Sequence, residues 1–377
     1  VSLSAQDVLL AATLCPGLSA ERWVPALVAA ALEPPQPALF GPPGDARLAS
    51  VSPAGTRAAA RAAWAAFLAG PASEAVAMER AELQRLGARA VTPLCPEWPA
   101  ELPPEGVLRV RGTLGPGPRV ALVGSRRADR YGRDVTERAA RAAAAAGVAV
   151  VSGGALGTDG FAHEACLAAG GRTLVVLGSG LSHPSPTTHL DLFERAAASG
   201  AVVSPFPCHV TPSRFTFPRR NAWIAGLSAV TVVLQAGATS GALHTARAAA
   251  ALGRPVYALP GPIDSPLQQG AHALLAAGAR VLDQPDAWRR EGAFLSVGVD
   301  KSATARTIAG RATADPDAIP PFGLVLWRAA GAEPVPLASL AEEAGLTAGD
   351  AAALALQLEL AGWLRAEPGG RFARRTP

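Results

Sequence analysis

Lysine is almost absent from this chain: Lys301 is its single example, so nearly every positive charge is a guanidinium. Methionine is as scarce, with Met78 alone, and aromatic residues make up only 5%. The four cysteines, Cys15, Cys95, Cys166 and Cys208, stand far apart with no C-x-x-C spacing, and the six histidines form no paired pattern. That argues against structural zinc and a disulfide framework; no metal and no cofactor is expected. Apolar stretches break at Arg, Glu or Gly before reaching 18 residues, too short for a membrane-spanning helix. The apolar opening Val1–Leu14 carries Asp7 and no positive leader, so the expected compartment is the cytoplasm and not a secretory route. No G-x-G-x-x-G follows the first strand, no G-x-x-x-x-G-K-[ST] occurs, and no G-x-S-x-G elbow is present. A conventional dinucleotide site, an ATPase motor and a serine hydrolase are therefore disfavoured.

What remains is long and apolar. At 377 residues, 49% of them hydrophobic, the chain has material for two or three cores. Residues 1–88 read as short helices, Gln6–Leu14, Ala20–Leu32 and Ala58–Leu68, punctuated by Pro and Gly, in a small helical, SAM-like domain. Ala88–Thr113 reads as irregular, ending in a strand-like run Val107–Arg111. From there to residue 290, apolar runs alternate with turns and alanine-rich helices. Strands are expected at Val120–Val123, Val148–Val151, Thr173–Leu177, Ala201–Val203, Thr231–Leu234, Val256–Leu259 and Arg280–Leu282. Helices are expected at Arg133–Ala146, Gly160–Ala169, Leu190–Ala198, Ala242–Ala251 and Gln269–Ala277. The alternation implies an α/β fold, an extended Rossmann-like, doubly wound, mostly parallel sheet over 89–290. A linker over 291–318 precedes three helical segments, Phe322–Ala330, Leu337–Glu343 and Ala348–Ala361, and a hairpin Trp363–Arg374 turning at Gly369-Gly370. That order predicts a winged helix over 319–377.

Charge is uneven. Of the net +4, the segment Arg119–Asp283 carries an excess of six, from 15 arginines and nine carboxylates. Residues 195–263 hold no acid at all, yet contain Arg195, Arg214, Arg219, Arg220, Arg247 and Arg254. Such a surface attracts polyanions. Three small-residue turns fall where strands meet helices: Gly124-Ser125-Arg126-Arg127, Ser152-Gly153-Gly154 through Asp159, and Thr239-Ser240-Gly241-Ala242. Free amides and the helix dipole at such corners suit phosphate, although each turn alone is also an ordinary corner. Phe215-Thr216-Phe217-Pro218-Arg219-Arg220-Asn221 puts guanidinium groups, an amide and two rings together, suited to phosphates and unstacked bases or, more blandly, a solvated Arg pair beside two core rings. Asp159 and His163, four apart at a helix start, are either an acid-base pair or a cap with an oriented histidine. Ala348–Ala361 bears no Arg or Lys, so a major-groove reading role is disfavoured. Arg371, Arg374 and Arg375 remain as wing candidates.

In this order, Gly124-Ser125-Arg126, Ser152-Gly153 through Asp159 with His163, Phe217-Pro218-x-Arg220-Asn221, Ser240-Gly241-x-x-x-Thr245-Ala246 and Pro260-Gly261 resemble the DNA-processing A (DprA, or Smf) family. The resemblance implies a non-catalytic protein that binds single-stranded DNA in a basic pocket, forms a homodimer and loads a RecA-type recombinase during natural transformation. It implies DNA contacts at Gly124, Ser125, Arg126, Arg219, Arg220 and Asn221, and phosphate cradles at Ser152, Gly153, Gly154, Ser240 and Gly241. Phe217 is either a stacking platform or core. Departures are Gly157-Thr158-Asp159 where Gly-Ile-Asp is common, Ser204-Pro205 for Ser-Glu, and Arg220-Asn221-Ala222 for Arg-Asn-Arg, which removes a third basic side chain. The competing readings are a Rossmann-like nucleotide hydrolase of phosphoribohydrolase type, using Asp159 and His163, and a double-stranded-DNA regulator resting on the tail.

Overall fold

A computed structural model describes residues 3–16, 23–28, 58–99, 101–102, 106–294, 329–331, 333–343, 351–352, 355, 358, 364–367 and 371–374. The chain divides into two compact units, 1–298 and 299–377.

The first unit is built on a nine-stranded sheet. Its strands are β1 (Ala88–Val91), β2 (Leu108–Gly112), β3 (Arg119–Val123), β4 (Ala149–Ser152), β5 (Thr173–Val176), β6 (Ala201–Ser204), β7 (Val230–Val233), β8 (Val256–Ala258) and β9 (Arg280–Val281). Their order is β1-β2-β6-β5-β4-β3-β7-β8-β9. β3 to β9 run parallel, and β1 and β2 add an antiparallel edge on β6. The core strands are short apolar runs because both faces are covered. Alternate residues serve opposite cores: Val120 and Leu122 pack on one face, Ala121 and Val123 on the other.

Among the described residues the helices of this unit include α1 (Ala5–Leu14), α2 (Ala58–Ala69), α3 (Pro71–Arg85), α4 (Arg130–Ala145), α5 (Thr158–Ala168), α6 (Leu190–Ser199), α7 (Thr216–Gly226), α8 (Ala242–Ala251) and α9 (Gln269–Ala276), and residues 23–28 are helical too. Alanines 139, 140 and 143 of α4 and 162 and 165 of α5 enter the core under Val120 and Leu122, while α7 and α8 cover Ala121 and Val123. From β3 the chain winds outward through β4, β5 and β6, then returns to β7 on the other side of β3. The winding reverses between β3 and β7, where an open α/β sheet forms a crevice at its carboxyl edge.

Two elements depart from the sequence expectations. Helix α3 is absent from them because its buried stripe, Ala72, Val76, Glu79 and Leu83, has a carboxylate in the middle. Glu79 is buried because Arg109 of β2, fully buried, donates its Nε at 2.8 Å, and the Cys208 amide donates to the same carboxylate. Arg109 also donates to Thr13 Oγ1 at 2.7 Å, which fastens α1 and α3 to the sheet. β1, within a stretch expected to be irregular, is a regular edge strand paired from Ala88↔Arg111 to Val91↔Leu108.

In the second unit, β10 (Val335–Pro336), α10 (Leu337–Glu343) and an antiparallel hairpin of β11 (Leu364–Glu367) and β12 (Arg371–Arg374) enclose a core of Ala330, Leu340, Ala351, Ala355, Leu358 and Leu364. Ala351, Ala355 and Leu358 recur at helical spacing, so one helix face fills this core. Most of the expected linker, the turn at Gly369-Gly370, Arg375 and most of Phe322–Ala330 and Ala348–Ala361 lie outside the described residues, as do parts of Ala20–Leu32; the linker's first residues belong instead to the first unit, where Phe294 packs in the core and Glu291 accepts from Tyr257. No described helix is long and apolar enough to cross a membrane.

Candidate nucleic-acid interface

A cleft of about 620 Å³ opens at the reversal point between β3 and β7. The turn after β3 forms one lip. Ser125 carbonyl oxygen accepts from the Thr158 amide at 3.1 Å and from Thr158 Oγ1 at 3.2 Å, holding this turn to the start of α5. Further on, Asp129 caps α4 through the Gly132 amide at 2.8 Å and exchanges two hydrogen bonds with the carboxamide of Gln235, just past β7. Pinned at both ends, the turn leaves Arg126 and Arg127 exposed on the cleft.

The turn after β4 is spent internally. Ser152 is fully buried and donates its hydroxyl to the Leu122 carbonyl at 2.6 Å. Asp159 folds back to accept from the Gly153 amide at 3.2 Å and the Ala155 amide at 3.3 Å. The amides expected to meet a phosphate already hold a carboxylate. A Cβ at Gly153 would lie 2.5 Å from the guanidinium of Arg220, so glycine is required there by an arginine of the chain itself. Gly154, at φ 69°, is covered by Phe193 and Val175. The structure therefore places Ser152, Gly153 and Gly154 beneath the cleft and not on its surface.

Arg220 and Asn221 bracket the two halves of the sheet. Arg220, 4% exposed, donates to the Gly153 carbonyl at 2.6 Å, to the Val176 carbonyl and to Asn221 Oδ1 at 3.1 Å. Asn221 Nδ2 reaches across to the Gly241 carbonyl at 3.1 Å. Burial pushes the Arg220 guanidinium down to about 10; nearby Asp159 works against that shift and Arg126 adds to it, so Arg220 stays charged at neutral pH. Burial likewise raises the Asp159 carboxyl, opposed by Arg220 and the loop amides. Phe217 rests on Gly178, where a Cβ would sit 2.5 Å from its ring, with Arg126 at 5.3 Å and Arg220 at 6.0 Å from its centroid.

The segment around Arg219 is helical, and helical periodicity sorts its residues. Phe217, Arg220, Asn221 and Ile224, at i, i+3, i+4 and i+7, line the cleft, whereas Arg219 turns outward over the Phe206 ring at 5.8 Å. The third turn forms the opposite lip: Thr239, Ser240 and Gly241 precede α8, with Ser240 Oγ accepting from the Ala242 amide at 3.3 Å and open space beside Gly241. Of the expected residues, the cleft gathers Gly124, Ser125, Arg126, Phe217, Arg220, Asn221, Ser240 and Gly241. It adds Arg127, Arg214, Thr239, His244 and Gln269, which sequence reasoning did not select. Arg127 and Thr239 lay in turns already read as suited to phosphate and Arg214 in the acid-free segment, whereas His244 and Gln269 carried no signal in the sequence. Four arginines, 126, 127, 214 and 220, face Asp159 alone, an arrangement that favours an anion.

Asp159 and His163 do not pair. His163 is fully buried, shares a 2.6 Å hydrogen bond between Nδ1 and Thr173 Oγ1, and is held down to about 3 by burial, with His189 and Arg220 adding to the effect. That geometry keeps His163 away from the cleft and leaves Asp159, engaged by the loop amides, without the partner the acid-base reading gave it. Among the described residues, no group of three His, Cys, Asp or Glu side chains is placed to hold a metal ion.

Comparison with known proteins agrees with this organisation. The family described as DNA recombination-mediator protein A matches residues 91–291, and the DprA winged helix domain matches 311–370. Protein Smf of Escherichia coli K12 is 37% identical over 279 residues, covering 73% of this chain and 71% of that protein. A putative DNA processing protein DprA of Mycobacterium tuberculosis is 40% identical over 223 residues, 54% of this chain and 57% of its own length. The X-ray structure of DNA processing protein A (DprA) from Streptococcus pneumoniae superimposes with a TM-score of 0.60 at 26% identity, covering 74% of this chain and 95% of that one. A Rossmann-like sheet with its charged crevice, a winged-helix unit and these matches together establish that the chain belongs to the DprA/Smf family of DNA-processing proteins.

Proposed function

We propose that the cleft between β3 and β7 binds single-stranded DNA and that the protein hands the strand to a RecA-type recombinase during natural transformation. The observation that carries this reading is the charge of the cleft: four arginines against one carboxylate, with the exposed Thr239–Gly241 turn opening α8 on the facing lip. Phosphates dock on Arg126, Arg127, Arg214 and that turn, where helix-terminal amides and the dipole favour anions. A cleft of about 620 Å³ has the size of a small-ligand pocket, which suits a single unit of a flexible strand. With no motor motif in the sequence, handover runs on binding energy; a homodimer supports it by offering two clefts to one strand and raising the effective concentration. The reading places the protein in the cytoplasm, acting without cofactor or metal and without catalysis of its own.

The test is fluorescence anisotropy with labelled oligo-dT across salt concentrations. If Arg126, Arg127 and Arg214 each neutralise one phosphate, the log-log salt slope is about −2, at about −0.7 per phosphate. Arg126→Ala with Arg214→Ala leaves a slope of about −0.7 and loses the ability to stimulate recombinase filament assembly. Unchanged slope and affinity in the double variant would remove the cleft from the reading.

A further inference from the structure

Phe215 is the conspicuous side chain that the cleft geometry leaves without a role. Its ring is 68% exposed; a lone exposed apolar side chain is ordinary surface, and what sets this ring apart is its place beside an arginine that lines the cleft. Tyr131, the other exposed aromatic among the described residues, ties its hydroxyl to the Pro260 carbonyl at 3.0 Å. Phe215 has no polar handle to explain its position. It is also held rigidly. Ser213 Oγ accepts from the Phe215 amide at 3.3 Å and the Thr216 amide at 3.2 Å, while the Ser213 amide donates to Thr216 Oγ1 at 2.9 Å. This reciprocal Ser-Thr turn, just before α7, ties down the backbone on which the ring stands.

The ring also sits beside the charge that lines the cleft. The Arg214 guanidinium lies over it at 4.8 Å from the centroid, and Arg214 is a cleft-lining residue. One face of the ring is thus occupied by a cation that faces phosphate, and the exposed remainder is free for a planar partner. Phe217, by contrast, is half-buried against Gly178, with Arg126 and Arg220 beside its ring, and presents less of its face to solvent. We infer that Phe215 is a base-stacking platform at the lip of the cleft: an unpaired base lies on the exposed ring while the adjoining phosphate meets Arg214. The inference rests on the strand-binding reading above and assigns to it the residue that recognises bases as opposed to backbone. Because every base has a π face, the platform is sequence-tolerant and selects unpaired bases over paired ones.

The test compares full-length wild-type protein, Phe215→Ala and Phe215→Tyr on two ligands, oligo-dT and an abasic deoxyribose-phosphate strand of the same length. Phe215→Ala is expected to weaken oligo-dT binding about tenfold, to leave the abasic strand and the salt slope unchanged, and to be rescued by Phe215→Tyr. Equal affinity of Phe215→Ala and wild type for oligo-dT would overturn the proposal. So would an equal loss on both ligands with a shallower salt slope, since Phe215 would then only hold Arg214. If Phe215→Ala lost oligo-dT while Arg126→Ala with Arg214→Ala retained it, the platform would stand and the phosphate assignment would fall. Wild-type protein that bound neither ligand would end both.

Discussion

Replacing Arg220 with alanine separates two roles that sequence alone merges. The side chain is 4% exposed and satisfies two backbone carbonyls, of Gly153 and Val176, and the side chain of Asn221. Its removal orphans those acceptors, leaves Asp159 buried without its facing cation and opens a cavity under Phe217. An orphaned buried acceptor costs about 1–3 kcal/mol, and stripping a buried charge of its partner about 3–5 kcal/mol. Since these terms overlap, a total of about 3–5 kcal/mol is expected. For a domain of about 200 residues this lowers Tm by roughly 6–20 °C, at about 2–4 °C per kcal/mol. Thermal unfolding followed by tryptophan fluorescence reads it directly, since Trp98, Trp223 and Trp288 all pack on the sheet. Arg126→Ala, on an exposed side chain, should stay within about 0.5 kcal/mol of wild type while losing DNA. Arg220→Lys should rescue only part of the loss, because an ammonium lacks the planar fork that reaches separate acceptors. A Tm for Arg220→Ala within about 2 °C of wild type, at about 1 kcal/mol or less, together with lost binding, would refute the reasoning: Arg220 would then spend its charge on the ligand and not on the bracket.

Two further outcomes follow from the same region. His163 titrates near 3 in the folded state against an ordinary 6.5, so the stability it contributes is complete above pH 6.5. It is lost as pH falls toward 3, at about 1.4 kcal/mol per pH unit. Urea unfolding at pH 7 and pH 5 should show His163→Gln with a shallower acid dependence, and identical dependence would refute the assignment. Gly153→Ala drives a methyl to 2.5 Å from the Arg220 guanidinium and should destabilise by about 1–3 kcal/mol. A neutral Tm would mean that Arg220 moves aside freely.

The sheet was legible because strands buried on both faces read as short apolar runs between turns, and β3 to β8 fall within a residue or two of their expected places. The crevice was legible for a related reason, since small residues cluster where strands hand over to helices. What the sequence could not display is how a donor or acceptor is spent. Ser152, Gly153 and Gly154 look like a phosphate cradle until Asp159, six residues beyond Gly153, is seen to occupy the amides. Likewise helix α3 left no apolar stripe to read because Glu79 stands within it, buried against Arg109 thirty residues on. Both are polar pairings, one within a loop and one between distant segments, and neither leaves a periodic trace. Arg219 and Arg220 are neighbours in sequence, but α7 turns them about 100° apart, one to solvent and one to the floor of the cleft.

The same helical geometry settles the meaning of Ala222, which stands where the family commonly has a third basic residue after Arg-Asn. Position 222 faces away from the cleft and lines a small apolar slot with Leu102, Trp223 and Ala251. A guanidinium there would stand on the far side of α7 from Arg126 and Arg214, so its loss subtracts nothing from the charge the cleft presents. The residues that must remain together are those on the inward stripe, Phe217, Arg220 and Asn221, because each joins parts of the fold on opposite sides of the reversal point. In this chain the Arg-Asn pair spends its hydrogen bonds on the fold, on the carbonyls of Gly153, Val176 and Gly241. On the strand-binding reading proposed above, the exposed arginines around it, Arg126, Arg127 and Arg214, are the ones that exchange solvent for phosphate.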